Sequence, residues 1–82
     1  MTIPLEESSR FKQEECLYYY LTIMSLLEGV PVYDLGLELQ LQEKLENYEA
    51  CSGIKRAINE ANYRTYRELK LIAKELEDEY KF

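Results

Sequence analysis

An all-α fold, a small domain of three helices with two long and one shorter, follows from three features of this 82-residue sequence. Residues 54–80 contain neither proline nor glycine, and Ile54, Ile58, Ala61, Thr65, Leu69, Ile72, Leu76 and Tyr80 recur at spacings of three and four, which keeps them on one helix face. Residues 4–28 carry an equally uninterrupted apolar pattern. Between the periodic stretches stand turn formers, Gly29 with Pro31 and Ser52 with Gly53. The expected elements are helices over 4–28, 34–50 and 53–80, within one domain spanning 1–82.

The first helix begins at Pro4, whose missing N–H costs nothing at a first helical position, with Thr2 or Ile3 at the cap and Glu6 and Glu7 at the positive end of the dipole. Cys16, Tyr20, Ile23 and Leu27 form the centre of its apolar face, widened by Leu17, Tyr19, Met24 and Leu26. An arc this broad calls for two neighbours and makes this helix the centre of the core. Phe11, Glu15, Tyr18, Thr22 and Ser25 fall on the opposite side. Gly29 and Pro31 end the helix.

Asp34 is the expected N-cap of the second helix. Residues 35–42 alternate leucine with other residues as a half-buried strand does, yet Leu37, Leu41, Leu45 and Tyr48 also form one helical face. The helix is preferred, because Leu, Glu, Gln and Lys are helix formers and no second strand exists to pair with. Leu35 and Leu39 then point away from the seam. Residues 51–53 close this helix and open the next, with Gly53 as C-terminal cap and Ser52 as N-cap. The short second helix leaves apolar surface uncovered on the two long ones. A domain of this size is modestly stable by itself, so a homodimer or a bound protein partner is expected.

Charge is unevenly divided. Residues 1–50 carry ten acids and three bases, and residues 51–82 six acids and seven bases, for a net charge of −6. An acidic protein gains little from phosphate counterion release, so nucleic-acid binding is disfavoured. Histidine is absent, and the two cysteines, Cys16 and Cys51, form no CxxC pattern. They read as reduced, buried thiols, although an antiparallel register of the first two helices also permits a bridge. The first residues have no basic segment followed by an apolar one, and the apolar run 16–27 is too short to span a bilayer. The expectation is a cytoplasmic protein without membrane contact.

The eight tyrosines and the basic residues of the last stretch are the sharpest candidate features. Tyr18, Tyr19 and Tyr20 are consecutive and point in three directions about 100° apart, leaving Tyr18 outside with Phe11. Tyr63 and Tyr66 have the character of interface anchors. Arg56, Arg67, Lys70 and Lys74 fall within about 60° of one another on a continuous helix, with Tyr63 alongside. Each feature also has a purely structural reading, as rings at the core edge or as a solvated cationic face. The many carboxylates diverge on their helices. Neither a catalytic base and nucleophile, a metal-ligand set nor a phosphate loop is present, so no enzyme activity, cofactor, metal or small-molecule substrate is expected. The expected class is a small acidic protein-interaction module, an adaptor, inhibitor or chaperone-like modulator of a partner protein. The partner-binding candidates are Phe11, Tyr18, Arg56, Tyr63, Tyr66, Arg67, Lys70 and Lys74. The alternative is a nucleic-acid-binding transcriptional regulator using the basic face of the last helix.

Overall fold

The computed structural model describes the backbone of residues 5–80 and the side chains of residues 12–80. Four helices make up this span: α1 (Leu5–Leu27), α2 (Val32–Lys44), α3 (Tyr48–Ala61) and α4 (Tyr66–Tyr80), with no strand among the described residues. The all-helical class is as expected, but the helices number four rather than three. The Pro4 helix start lies outside the described residues.

Helix α1 ends where the sequence signals it. Gly29 takes a φ of 94°, its N–H donates to the Leu26 carbonyl at 3.1 Å, and the Val30 N–H reaches back to the Ser25 carbonyl at 3.0 Å. This is a glycine-based Schellman cap.

The same cap terminates α2 without a glycine. Glu46 adopts a φ of 56°, its N–H donates to the Glu43 carbonyl at 3.1 Å, and the Asn47 N–H donates to the Gln42 carbonyl at 3.0 Å. The expected helix over 34–50 therefore stops at Lys44. Its start also moves, because Pro31 occupies the N-cap with an extended ψ of 145° and Asp34 lies inside the first turn. Asn47 then opens α3, its side-chain oxygen accepting from the Ala50 N–H at 3.4 Å. Its amide nitrogen donates to the Gln42 side chain at 3.1 Å and to the Tyr18 hydroxyl at 3.5 Å, so one residue ties α1, α2 and α3 together.

Residues 51–53 do not break the chain as expected. They run through the middle of α3, where Gly53 is buried against α1. A Cβ at residue 53 would lie 2.7 Å from the Tyr19 nitrogen and 2.8 Å from the Tyr18 Cβ, and would collide with the Glu15 carbonyl oxygen. Glycine is required there for close helix approach, not for capping. Ser52, likewise, caps nothing. Its hydroxyl donates to the Glu15 carboxylate at 2.8 Å.

The largest correction concerns residues 53–80, expected as one helix and divided by a turn over 62–65. The N–H groups of Asn62 and Tyr63 bond three residues back, to the carbonyls of Asn59 and Glu60 at 3.2 and 3.0 Å, which tightens and ends α3. Thr65 restarts the chain through a capping box. Its hydroxyl accepts from the Glu68 N–H at 3.2 Å while the Glu68 carboxylate accepts from the Thr65 N–H at 3.2 Å. Thr65, expected in the apolar seam, is exposed at this junction. The turn allows α4 to fold back along α1 in the antiparallel sense, with Glu77 meeting Tyr20 and Tyr80 meeting Cys16.

The predicted breadth of the α1 apolar arc is realised: α3 and α4 both pack on it. Tyr19, Tyr20, Ile23, Ala57, Leu69 and Ala73 form the buried cluster, flanked by Met24, Leu26, Leu27, Ile72 and Leu76. The side of α1 assigned to solvent is nevertheless partly covered. Thr22 is buried, and Glu15 and Tyr18 are half-buried toward α3, whereas Leu17, expected to widen the core face, is exposed. The small residues Ala50, Gly53 and Ala57 let α3 come close enough to cover polar groups, and Ser52, Arg56 and Asn47 supply their hydrogen-bond partners.

The faces of α2 are exchanged in the same way. Leu35 is buried and Leu39 half-buried, while Leu37, Leu41, Leu45 and Tyr48 are exposed. Alternating leucines give a helix two leucine columns, and the column that α3 covers is the one expected to be outside.

Candidate interaction surface

The turn over 62–65 decides what the eight candidate residues can do together. Arg56 is separated from the other cations and faces α1. Its guanidinium donates to the Glu15 carboxylate at 3.1 Å and lies 4.4 Å from the centre of the Tyr19 ring. That pairing, with Ser52 on the second Glu15 oxygen, makes Arg56 a structural clamp between α1 and α3. Burial pushes the Tyr19 hydroxyl above its ordinary pKa, with the Glu60 carboxylate adding to the rise and Arg56 and Arg64 opposing it. Tyr18 belongs to the same contact and is not outside, its hydroxyl accepting from Asn47. Phe11 lies on α1, beyond the residues whose side chains are described.

The remaining five stay together. Tyr63, in the turn, and Tyr66, at the start of α4, are 79% and 57% exposed. Arg67, Lys70 and Lys74 follow at spacings of three and four on α4, all exposed, and the Lys70 ammonium lies 5.2 Å from the centre of the Tyr66 ring. Among the described residues neither Arg67 nor Lys74 forms an ion pair. These cations remain available to an incoming acidic group. Leu71 stands among them, exposed, which the periodic reading passed over because it lies off the Leu69–Ile72–Leu76 seam. An open depression lined by Arg64, Glu68, Leu71, Ile72 and Glu75 borders the group.

Ion pairs span the base of this surface. Arg64 donates to Glu60 at 2.9 Å and to Glu68 at 3.2 Å, bridging the end of α3 to the start of α4. The Thr65 N–H holds the Glu68 carboxyl below the usual carboxylate range, assisted by Arg64 and by the Thr65 hydroxyl. The two carboxylates in turn raise the Arg64 pKa. Tyr63 and Tyr66 project from the corner that these bonds and the Thr65–Glu68 cap define. The capping box Thr65-Tyr66-Arg67-Glu68 was readable in the sequence and would have located this corner.

Both cysteines are free thiols. Cys51 is buried, and Cys16 is half-buried and donates to the Tyr80 hydroxyl at 3.5 Å. Among the described residues no group of three or more His, Cys, Asp or Glu side chains is placed to hold a metal ion, and no helix is long and apolar enough to cross a membrane. Comparison with protein-family models, with curated proteins and with solved structures finds no match, so function has to be argued from this chain's own residues.

Proposed function

We propose that the chain is a non-catalytic protein-interaction module, an adaptor, inhibitor or chaperone-like modulator, that engages an acidic partner protein through Tyr63, Tyr66, Arg67, Lys70 and Lys74. The supporting observation is the corner itself: two exposed tyrosine rings fixed at the α3–α4 junction beside two cations without ion pairs. Rings of this kind bring large contact area at low entropic cost and are enriched in interface hot spots. The absence of histidine and the divergence of the carboxylates favour a binding role over catalysis. A cytoplasmic location and a homodimeric state belong to the same reading.

Tyr63→Ala with Tyr66→Ala should leave helicity unchanged and the unfolding free energy within about 0.5 kcal/mol of the parent, because both rings are largely outside the core. The same change should weaken partner binding by about 2 kcal/mol. Proteins retained by the parent chain and lost by the double variant, identified by mass spectrometry and re-tested with purified partner, carry the proposal. Loss of folding would assign the rings to the core. The Tyr66–Lys70 pair also suits stacking on a single-stranded nucleic acid, the second reading. That version requires a gel-shift complex at low salt that dissolves steeply as salt rises.

A further inference from the structure

The charge order of α4 runs against its own stability. Helices favour acids in the first turn and bases in the last, and α2 complies, with Asp34 in its first turn and Lys44 in its last. In α4 only Glu68, held in the capping box, follows that order. Arg67 stands in the first turn, Lys70 and Lys74 come behind it, and Glu77, Asp78 and Glu79 fill the last turn. Arg67 with Lys70, and Lys70 with Lys74, are also like charges three and four apart, a spacing at which they repel. Among the described residues none of these three cations forms an ion pair, although Glu77 and Asp78 stand three and four positions after Lys74. Exposed cations that oppose the helix carrying them are accounted for by something outside the fold, a bound partner.

We infer that this face binds a short acidic helix of the partner protein, one with three carboxylates spaced by three and four along one side. The inference rests on the reading of the tyrosine corner and names the form of its partner. Arg67, Lys70 and Lys74 rise by about 4.5 and 6 Å along α4 and lie within about 60° of one another around it. A second helix with carboxylates at spacings of three and four repeats those intervals, so each carboxylate meets one cation. An extended chain repeats a face only every roughly 6.7 Å and overshoots the second and third cations. On one flank Leu71, 56% exposed, and the half-buried Ile72 line the neighbouring depression, which takes one aliphatic side chain of the same helix. On the other flank lies the Tyr66 ring beneath the Lys70 ammonium. Glu75, Glu77, Asp78 and Glu79 repel an acidic chain beyond Lys74, so the bound helix runs from Lys74 toward Tyr66 and Tyr63.

A synthetic alanine-based peptide of about 18 residues, long enough to be helical alone, carries glutamates in this pattern with one leucine beside them and is titrated with the full chain by fluorescence anisotropy. The expected result is saturable binding that weakens as salt is added. It should be on the order of tenfold tighter than for the same peptide with its three glutamates consecutive, where they diverge around the helix. Arg67→Glu and Lys74→Glu should each weaken it by on the order of tenfold, and Leu71→Gln by about threefold, while Leu41→Gln on α2 leaves it unchanged. A peptide with lysines in place of the glutamates should bind the Arg67→Glu, Lys74→Glu double variant, a rescue that an unfolded variant cannot give. No binding up to about 1 mM peptide, equal binding of the consecutive-glutamate peptide, or displacement of the peptide by an equal concentration of single-stranded oligonucleotide overturns the inference. A captured partner that depends on Tyr63 and Tyr66 but not on Arg67 and Lys74 would remove the acidic helix and leave the interaction module standing. A partner indifferent to all four residues would remove both.

Discussion

Two faces of the molecule end in states opposite to those their hydropathy suggests. Where α1 meets α3, residues of mixed polarity, Glu15, Tyr18 and Thr22, are covered at least in part, because Gly53 lets the backbones approach and Ser52, Arg56 and Asn47 hydrogen-bond to the Glu15 and Tyr18 side chains. On the outer side of α2, three leucines in a perfect column remain uncovered. Burial in this protein follows the closeness that backbones can reach rather than hydropathy alone. Small residues on α3 admit a neighbour, and a leucine ridge needs a partner of matching shape.

The strongest way to break that contrast is to fill the close contact. Gly53→Ala places a Cβ against the Tyr19 nitrogen and the Glu15 carbonyl, atoms of backbone that cannot swing aside, and should destabilise the fold by about 3 kcal/mol. Urea denaturation with retained slope would measure it. A change of under about 0.5 kcal/mol would mean that α1 and α3 are not pressed together. Leu41→Gln on the open ridge should, by contrast, leave the fold intact.

A second test addresses the α1–α4 side, where two side-chain hydrogen bonds add to the packing of Leu69 and Ala73. Tyr20 donates to the Glu77 carboxylate, and this bond is the main cause that raises its pKa, with burial and the Glu77 charge adding to it. Tyr80 is raised chiefly through its bond with Cys16. A folded-state pKa above the unfolded value of about 10 means stability that is complete below pH 10 and lost as pH rises through the folded pKa. Melting temperature should therefore fall in the alkaline range as tyrosinate absorbance appears. Tyr20→Phe should flatten that fall. An unchanged alkaline profile in Tyr20→Phe would show that the bond to Glu77 contributes nothing to it.

The smallest effect sharpens the comparison at the α2–α3 junction. Glu46 holds a positive φ that glycine adopts without cost. Glu46→Gly should stabilise the protein by about 0.5 kcal/mol, the relief of left-handed strain less the entropy glycine loses on folding. Thermal unfolding would show a small rise, and a fall would indicate that the Glu46 side chain contributes elsewhere.

Much of the helical content was legible, and so was the organising role of α1: its apolar arc was too wide for one neighbour, and two cover it. Gly29 marked the end of α1 because glycine is the residue that a left-handed cap favours. The end of α2 carried no such mark, since Glu46 accepts the same strained conformation, and the break went unseen. Thr65-x-x-Glu68 did mark the start of α4, but the periodic seam from Ile54 to Tyr80 outweighed it. Of the candidate residues, Tyr63, Tyr66, Arg67, Lys70 and Lys74 remain one surface, while Arg56 and Tyr18 were drawn into the α1–α3 contact.

By itself the sequence determined that the chain is helical, that α1 needs two neighbours, and that its first half is acidic, because periodicity and composition are local and additive. Only the tertiary structure decided which leucine column of α2 is covered, that glycine at 53 serves contact rather than capping, and which cations stay free of ion pairs. Those outcomes depend on how closely two backbones can approach across the fold, a property of pairs of segments that neither segment encodes alone.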